Sequence, residues 1–185
     1  MVSVPDQDQY RILTPSEYFR LRVAIPKTVL RMCIDVLCMT GMRYSESKAF
    51  GTHPEWFDEG NRVIVVPAAY TKTRRNRNVH LTSRFAAELG MYLRENKEIV
   101  FPDNVTMNRN LIRWLEPIPD IGWVRAKTFR KTWESWLLAA GYDSLQVALS
   151  QGHTQTIQLN HYANMSARLK SEMDAVKAIT AGWGE

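Results

Sequence analysis

Apolar and polar positions along this chain follow a helical period, then an extended one, then a helical period again. The first dozen residues are polar and read as a linker or tail (residues 1–13), so a folded domain is expected from Thr14 to residue 185. Thr14-Pro15-Ser16-Glu17 is a helix start, with a capping hydroxyl, Pro at the first helical position and Glu three residues after the cap. That helix is expected to reach about Val23, and Pro26 restarts the chain. From Lys27 to Met39 the sequence is apolar almost all round (Val29, Leu30, Met32, Cys33, Ile34, Val36, Leu37), the pattern of a helix buried on most sides. Thr40-Gly41 breaks it, and Met42 to Phe50 reads as a second short helix.

Residues 61–81 change period. Val63-Ile64-Val65-Val66 is a β-branched run, and extended segments are expected near Tyr70–Thr73 and Asn78–Leu81. These make a small antiparallel sheet of two or three strands, with Arg74-Arg75-Asn76-Arg77 as its turn. After Thr82 the pattern is helical to the end, with breaks near Phe101-Pro102, Pro117–Gly122, Gly141, Gly152 and Asn164. The fold class is therefore α+β, mostly helical, with one small sheet inserted early.

Composition narrows this picture little. The 185 residues, 45% of them hydrophobic, suffice for one core, and charged residues at 23% form no block suggestive of disorder. A formal net charge of +5 is compatible with a nucleic-acid partner and with many others. Cys33 and Cys38 lie five positions apart in one apolar run, which suits buried free thiols rather than a disulfide. With no stretch as long as a membrane span and no signal-peptide pattern, a cytoplasmic protein is expected.

Four features carry chemistry, and each also has an ordinary structural reading. Gly41 in Thr40-Gly41-Met42-Arg43-Tyr44-Ser45-Glu46 allows a sharp turn that leaves Arg43 near a helix N-terminus, where an anion is favoured. A capping turn with a surface Arg would look the same. Thr71-Lys72-Thr73 runs into Arg74, Arg75 and Arg77, cations suited to touching phosphates, or to a solvated turn. Lys127 and Arg130 are three apart on one helix, sharing a face with a bound anion or with a carboxylate such as Glu134. Gly152-His153 is followed nine positions later by Tyr162.

Together these resemble the tyrosine recombinase and integrase family over roughly Thr14 to the C-terminus. The resemblance implies a mostly helical catalytic domain with a small three-stranded antiparallel sheet. Arg43 matches the family's first arginine, Lys72 its hairpin lysine, Arg130 its second arginine, His153 its late His-or-Trp position and Tyr162 its nucleophile. The same resemblance implies site-specific cleavage and rejoining of double-stranded DNA through a 3′-phosphotyrosyl intermediate. Arg43, Arg130 and His153 would hold the phosphate and Lys72 would protonate the leaving oxygen, with no metal or cofactor. Arg74, Arg75 and Arg77 are expected to bind DNA. Lys127 stands where most members have His, as in some recombinases of archaeal viruses and plasmids. It is assigned to phosphate stabilisation first and proton transfer second.

The family's usual N-terminal core-binding domain is not expected within this chain. The segment Ser166 to Trp183 reads as an amphipathic helix (Leu169, Met173, Val176, Ile179). It is expected either to dock on a neighbouring protomer in a tetrameric synapse or to pack on its own domain. Two alternatives stay open: strand relaxation of the type IB topoisomerase kind, and a DNA-binding module that has kept the fold without turnover.

Overall fold

The computed structural model describes residues 11–152 and 167–185. Helix α1 (Pro15–Ala24) starts as its residues dictate: the Glu17 amide donates to Thr14 Oγ1, and the Thr14 amide donates back to the Glu17 carboxylate at 2.9 Å. Packing begins earlier than the boundary expected at Thr14. Ile12 and Leu13 are fully buried, the Leu13 amide donates to Thr132 Oγ1 at 2.9 Å, and Trp136 Nε1 donates to the Leu13 carbonyl at 3.0 Å. Both backbone groups of Leu13 are thus satisfied inside the core, as buried backbone must be.

The core centres on α2 (Thr28–Thr40) packed against α6 (Ala126–Ala139). Helix α2 buries Met32 through Cys38, a run apolar but for Asp35, and α6 contributes Phe129, Trp133, Trp136 and Leu137. Cys33 and Cys38 are buried free thiols within it. Asp35 lies in the same buried run, and its charge is met by two donors: the Tyr18 hydroxyl at 2.5 Å and Arg22 Nε at 2.8 Å. Burial and the neighbouring Asp35 push the Tyr18 hydroxyl well above its usual range, so it stays a donor.

Along the chain after α2 come α3 (Tyr44–Thr52) and a sheet of three antiparallel strands, β1 (Phe57–Asp58), β2 (Val63–Val66) and β3 (Arg77–His80), in that order. Val63 pairs with His80 and Val66 with Arg77. The third strand is therefore Phe57–Asp58, and Tyr70–Thr73 is not extended. Pro67 has no N–H to continue the ladder, and Ala68–Tyr70 instead makes one 3₁₀ turn. Thr71 then knots the connection: its hydroxyl donates to the Arg75 carbonyl at 2.8 Å and accepts from the Arg75 amide at 3.1 Å.

Helix α4 (Ser83–Asn96) is capped by Thr82 and α5 (Asn104–Leu115) by Asp103, each side chain accepting an amide from the first turn. Helix α7 (Ser144–Gln151) follows α6, and α8 (Met173–Thr180) closes the domain. The apolar stripe expected near the C-terminus is occupied within the chain itself. Leu169 and Val176 are fully buried, and Met173 and Ile179 pack on the same core. Trp183, also buried, donates from Nε1 to the His80 carbonyl at 2.9 Å, while the Tyr142 hydroxyl donates to the Thr180 carbonyl at 2.6 Å.

Candidate active site

Two guanidinium groups, those of Arg43 and Arg77, meet one buried carboxylate, and that of Arg130 lies beside them where α2, α3, β3, α6 and α7 come together. Gly41 makes the convergence possible. It ends α2 at φ 62°, and a Cβ there would lie 2.3 Å from Gln151 Nε2, so the turn needs glycine on two counts. The tight turn places Arg43 at the N-cap of α3.

Glu46, one turn into α3, is 1% exposed and holds the group together. Its carboxylate accepts from the Arg43 amide at 2.8 Å, from Arg43 Nη1 at 3.1 Å, and from both Arg77 nitrogens at 3.1 and 2.7 Å. Burial pushes this carboxyl up, but the hydrogen bonds and charge of Arg77 and Arg43 outweigh it and hold the group below its ordinary value.

Backbone carbonyls aim the remaining donors. Arg43 Nη2 donates to the Gly152 carbonyl at 3.3 Å. Arg130 Nη1 donates to the Gly41 carbonyl at 2.7 Å, and its Nη2 donates to the Gln151 carbonyl, which also receives Arg77 Nη1 at 3.4 Å. Burial, with repulsion from Arg43 and Arg77, lowers Arg130 to about 10, still charged at neutral pH. Three positive groups around one negative group leave an excess of two positive charges in a half-buried setting. Such a site attracts an anion with several oxygens, a phosphate above all, rather than a cation. Among the described residues no group of His, Cys, Asp and Glu could hold a metal ion.

The structure thus brings Arg43 and Arg130 together, their guanidiniums meeting at the Gly41, Gln151 and Gly152 carbonyls. Lys127 is exposed on the first turn of α6, one turn before Arg130. Lys72 is exposed too, in the β2–β3 connection rather than on a strand. The base of that connection is clamped: the Tyr70 ring lies 4.8 Å from Trp56 and 5.7 Å from His53, and His53 stacks on Trp56 at 5.1 Å. Arg74 and Arg75 are exposed in the same connection. Arg77 corrects the sequence reading. It opens β3 instead of sitting in the turn, is only 8% exposed, and its charge is engaged by Glu46 rather than offered to solvent. His153 and Tyr162 lie outside the described residues.

Sequence reasoning missed Glu46 and the inward role of Arg77. A signal existed for each. Glu46 sits three residues after the cap, the spacing of a capping box, and Arg77 alternates inward with Val79 and Leu81.

This architecture has counterparts among solved structures. XerA recombinase matches with a TM-score of 0.66 at 20% identity over 89% of this chain, which spans 64% of XerA's length. The Tn1549 transposon integrase in complex with transposon right end DNA matches with a TM-score of 0.68 at 19% identity, over 92% of this chain and 67% of that one. The catalytic domain of bacteriophage HP1 integrase gives 0.63 at 19% identity, covering 93% of this chain and 96% of that domain. At such identities the likeness speaks for the fold. No curated protein sequence matches the chain. Residues 11–168 match the family model described as the phage integrase family, a span that takes in all but the ends of the chain, and the protein belongs to that family.

Proposed function

We propose that this chain is the catalytic domain of a site-specific DNA recombinase, an integrase that cuts and rejoins DNA through a covalent bond to Tyr162. The observation that carries the reading is the doubly positive cluster of Arg43, Arg77 and Arg130 around Glu46, in a member of the phage integrase family. Its guanidiniums suit the non-bridging oxygens of a scissile phosphate.

In the proposed reaction the Tyr162 phenolic oxygen attacks the phosphorus in line. A phosphorus–oxygen bond forms to tyrosine and the bond to the 5′-oxygen breaks, which keeps the bond energy available for rejoining. A free phenol titrates near 10, so the surrounding cations must favour its anion. Arg43 and Arg130 stabilise the charge that builds on the equatorial oxygens, and His153 donates a further hydrogen bond. Lys72 delivers a proton to the departing 5′-oxygen, and Lys127 adds charge at the phosphate. Arg74 and Arg75 flank Lys72 and contact neighbouring phosphates. Arg77 orients Glu46, and through it Arg43.

The chain is further proposed to act on DNA inside its host cell as an assembly of copies that pairs two sites. With the apolar stripe of the C-terminal segment engaged in its own domain, such an assembly would use other surfaces, including the polar side of α8.

The test uses a duplex nicked just beyond the cleavage site, so that cleavage releases a short fragment and traps the enzyme. A protease-sensitive slow band on a denaturing gel, absent for Tyr162→Phe, is the expected result. Confirmed DNA binding with no adduct on any of several sequences overturns the reading.

A further inference from the structure

Next to the phosphate cluster lies a second surface, which the proposed chemistry does not use. On α5, Val105, Arg109 and Ile112 share one face by helical spacing and all are exposed. Opposite them Trp123 is 39% exposed, and the Arg125 guanidinium carbon lies over its ring, 3.9 Å from the centroid. Residues from both segments line one shallow hollow, and none of the described residues lining it is acidic. Val105, Ile112 and Trp123 together make a small apolar patch edged by arginines, and such a patch carries more meaning than any one exposed side chain. A guanidinium held over an indole ring loses much of its freedom while its N–H groups stay able to donate.

This surface is tied rigidly to the site. The Ala126 amide, at the start of α6, donates to Asn108 Oδ1 of α5 at 3.0 Å. Helix α6 then carries Lys127 and Arg130. From Arg125 to Arg130 the rise is about 7.5 Å at about 1.5 Å per residue, or about two base pairs at about 3.4 Å each. Residues five apart also differ by about 140° around the helix, so a duplex held at Arg43 and Arg130 would meet the hollow within a few base pairs where it runs past the N-terminal end of α6.

We propose that Trp123, Arg125 and Arg109 form a base-reading surface for the DNA flanking the cleavage site, with Arg125 contacting a guanine edge. The inference rests on the recombinase reading above. A held, planar guanidinium is what bidentate contact with guanine requires, and Val105 and Ile112 offer apolar contact to a thymine methyl beside it. Charge complementarity favours DNA over a protein partner, since two arginines and no carboxylate line the hollow.

The experiment selects bound sequences from a duplex library randomised around a fixed nick, using the full chain and its Arg125→Ala, Arg125→Lys and Trp123→Phe variants. Arg125→Ala should lower affinity for the preferred sequence roughly tenfold or more and flatten the preference at one or two adjacent base pairs only. Arg125→Lys keeps the charge without the fork, and should retain most of the affinity while losing the same preference. Trp123→Phe, which keeps a ring beneath Arg125, should keep both. Equal weakening on every sequence, with the salt slope falling by about one, would make Arg125 a phosphate contact and overturn the proposal. Unchanged DNA selection with altered sedimentation would assign the hollow to a protein partner instead. If wild type forms the covalent adduct yet selects no sequence, the recombinase reading survives and this one fails. If wild type forms no adduct at all, the recombinase reading fails first.

Discussion

Replacing Glu46 with Gln keeps the side chain's size and removes its charge, which isolates what the buried carboxylate does. In the native protein Glu46 is 1% exposed and Arg77 8% exposed, and the pair is joined by two hydrogen bonds at 3.1 and 2.7 Å. Removing one partner of such a pair leaves a buried charge uncompensated, at about 3–5 kcal/mol. Arg43 adds little to this sum because its side chain is 29% exposed. The lower end, about 3 kcal/mol, is the better expectation, because Arg77 still has the Gln151 carbonyl to donate to. For a chain of this size that is a fall in Tm of roughly 6–12 °C.

The pH dependence supplies an independent check. Because folded Glu46 titrates below its ordinary value, its contribution is fully present above that value and is lost as the pH falls through the lower, folded one. Urea unfolding across a pH series should therefore show E46Q well below wild type at neutral pH, with the gap closing in acid. The variant cluster also carries three positive charges instead of two net, so inorganic phosphate should recover more stability in E46Q than in wild type. A loss under about 1 kcal/mol at neutral pH, or a gap that does not close in acid, would refute the claim that Glu46 binds the cluster together.

Two other substitutions separate chemistry from scaffold. Lys72→Ala should slow strand cleavage by about 10²–10⁴-fold, and a bridging 5′-phosphorothiolate, whose leaving sulfur needs no proton, should restore most of the rate in a single-turnover assay. If the sulfur substrate brings no recovery, Lys72 is not the acid. Trp183→Ala removes a buried indole and its hydrogen bond to the His80 carbonyl. It should lower unfolding stability by about 3–5 kcal/mol and expose the C-terminal helix to limited proteolysis, while DNA affinity measured well below the midpoint stays within twofold or so.

The parts of this fold that were legible in the sequence are those written in local code. The capping box at Thr14 and Glu17, the mostly apolar run of α2 and the Gly41 turn each depend on residues within a few positions of one another. The parts that were not depend on distant pairing. Strand β1 is two residues long and gives no periodicity to read. Pro67 ends the ladder, and the 3₁₀ turn of Ala68–Tyr70 with the Thr71–Arg75 turn replaces the strand expected near Tyr70–Thr73. Arg77 was hidden in a run of cations, because whether a charge faces water or a carboxylate 31 residues away depends on the register of β3 against α3. The two arginines of the site were found through family resemblance. Glu46, which holds one of them, needed the three-dimensional arrangement.

The arginines that would grip the phosphate are aimed largely by main-chain carbonyls, those of Gly41, Gln151 and Gly152. Carbonyl acceptors are common to every amino acid, so their placement follows the route of the chain and not the identity of the residue that supplies them. As acceptors these positions make no chemical demand on their own side chains, and only packing, which buries Thr40, Met42 and Gln151, constrains their neighbours. That freedom stops at Gly41 and Gly152, at φ 62° and 68°, where a side chain would collide with Gln151 or with Arg77 and would strain the turn itself. Library mutagenesis of these turns should accordingly find Gly41 and Gly152 intolerant of every side chain, a constraint set by backbone path and distinct from the burial of Thr40, Met42 and Gln151 beside them.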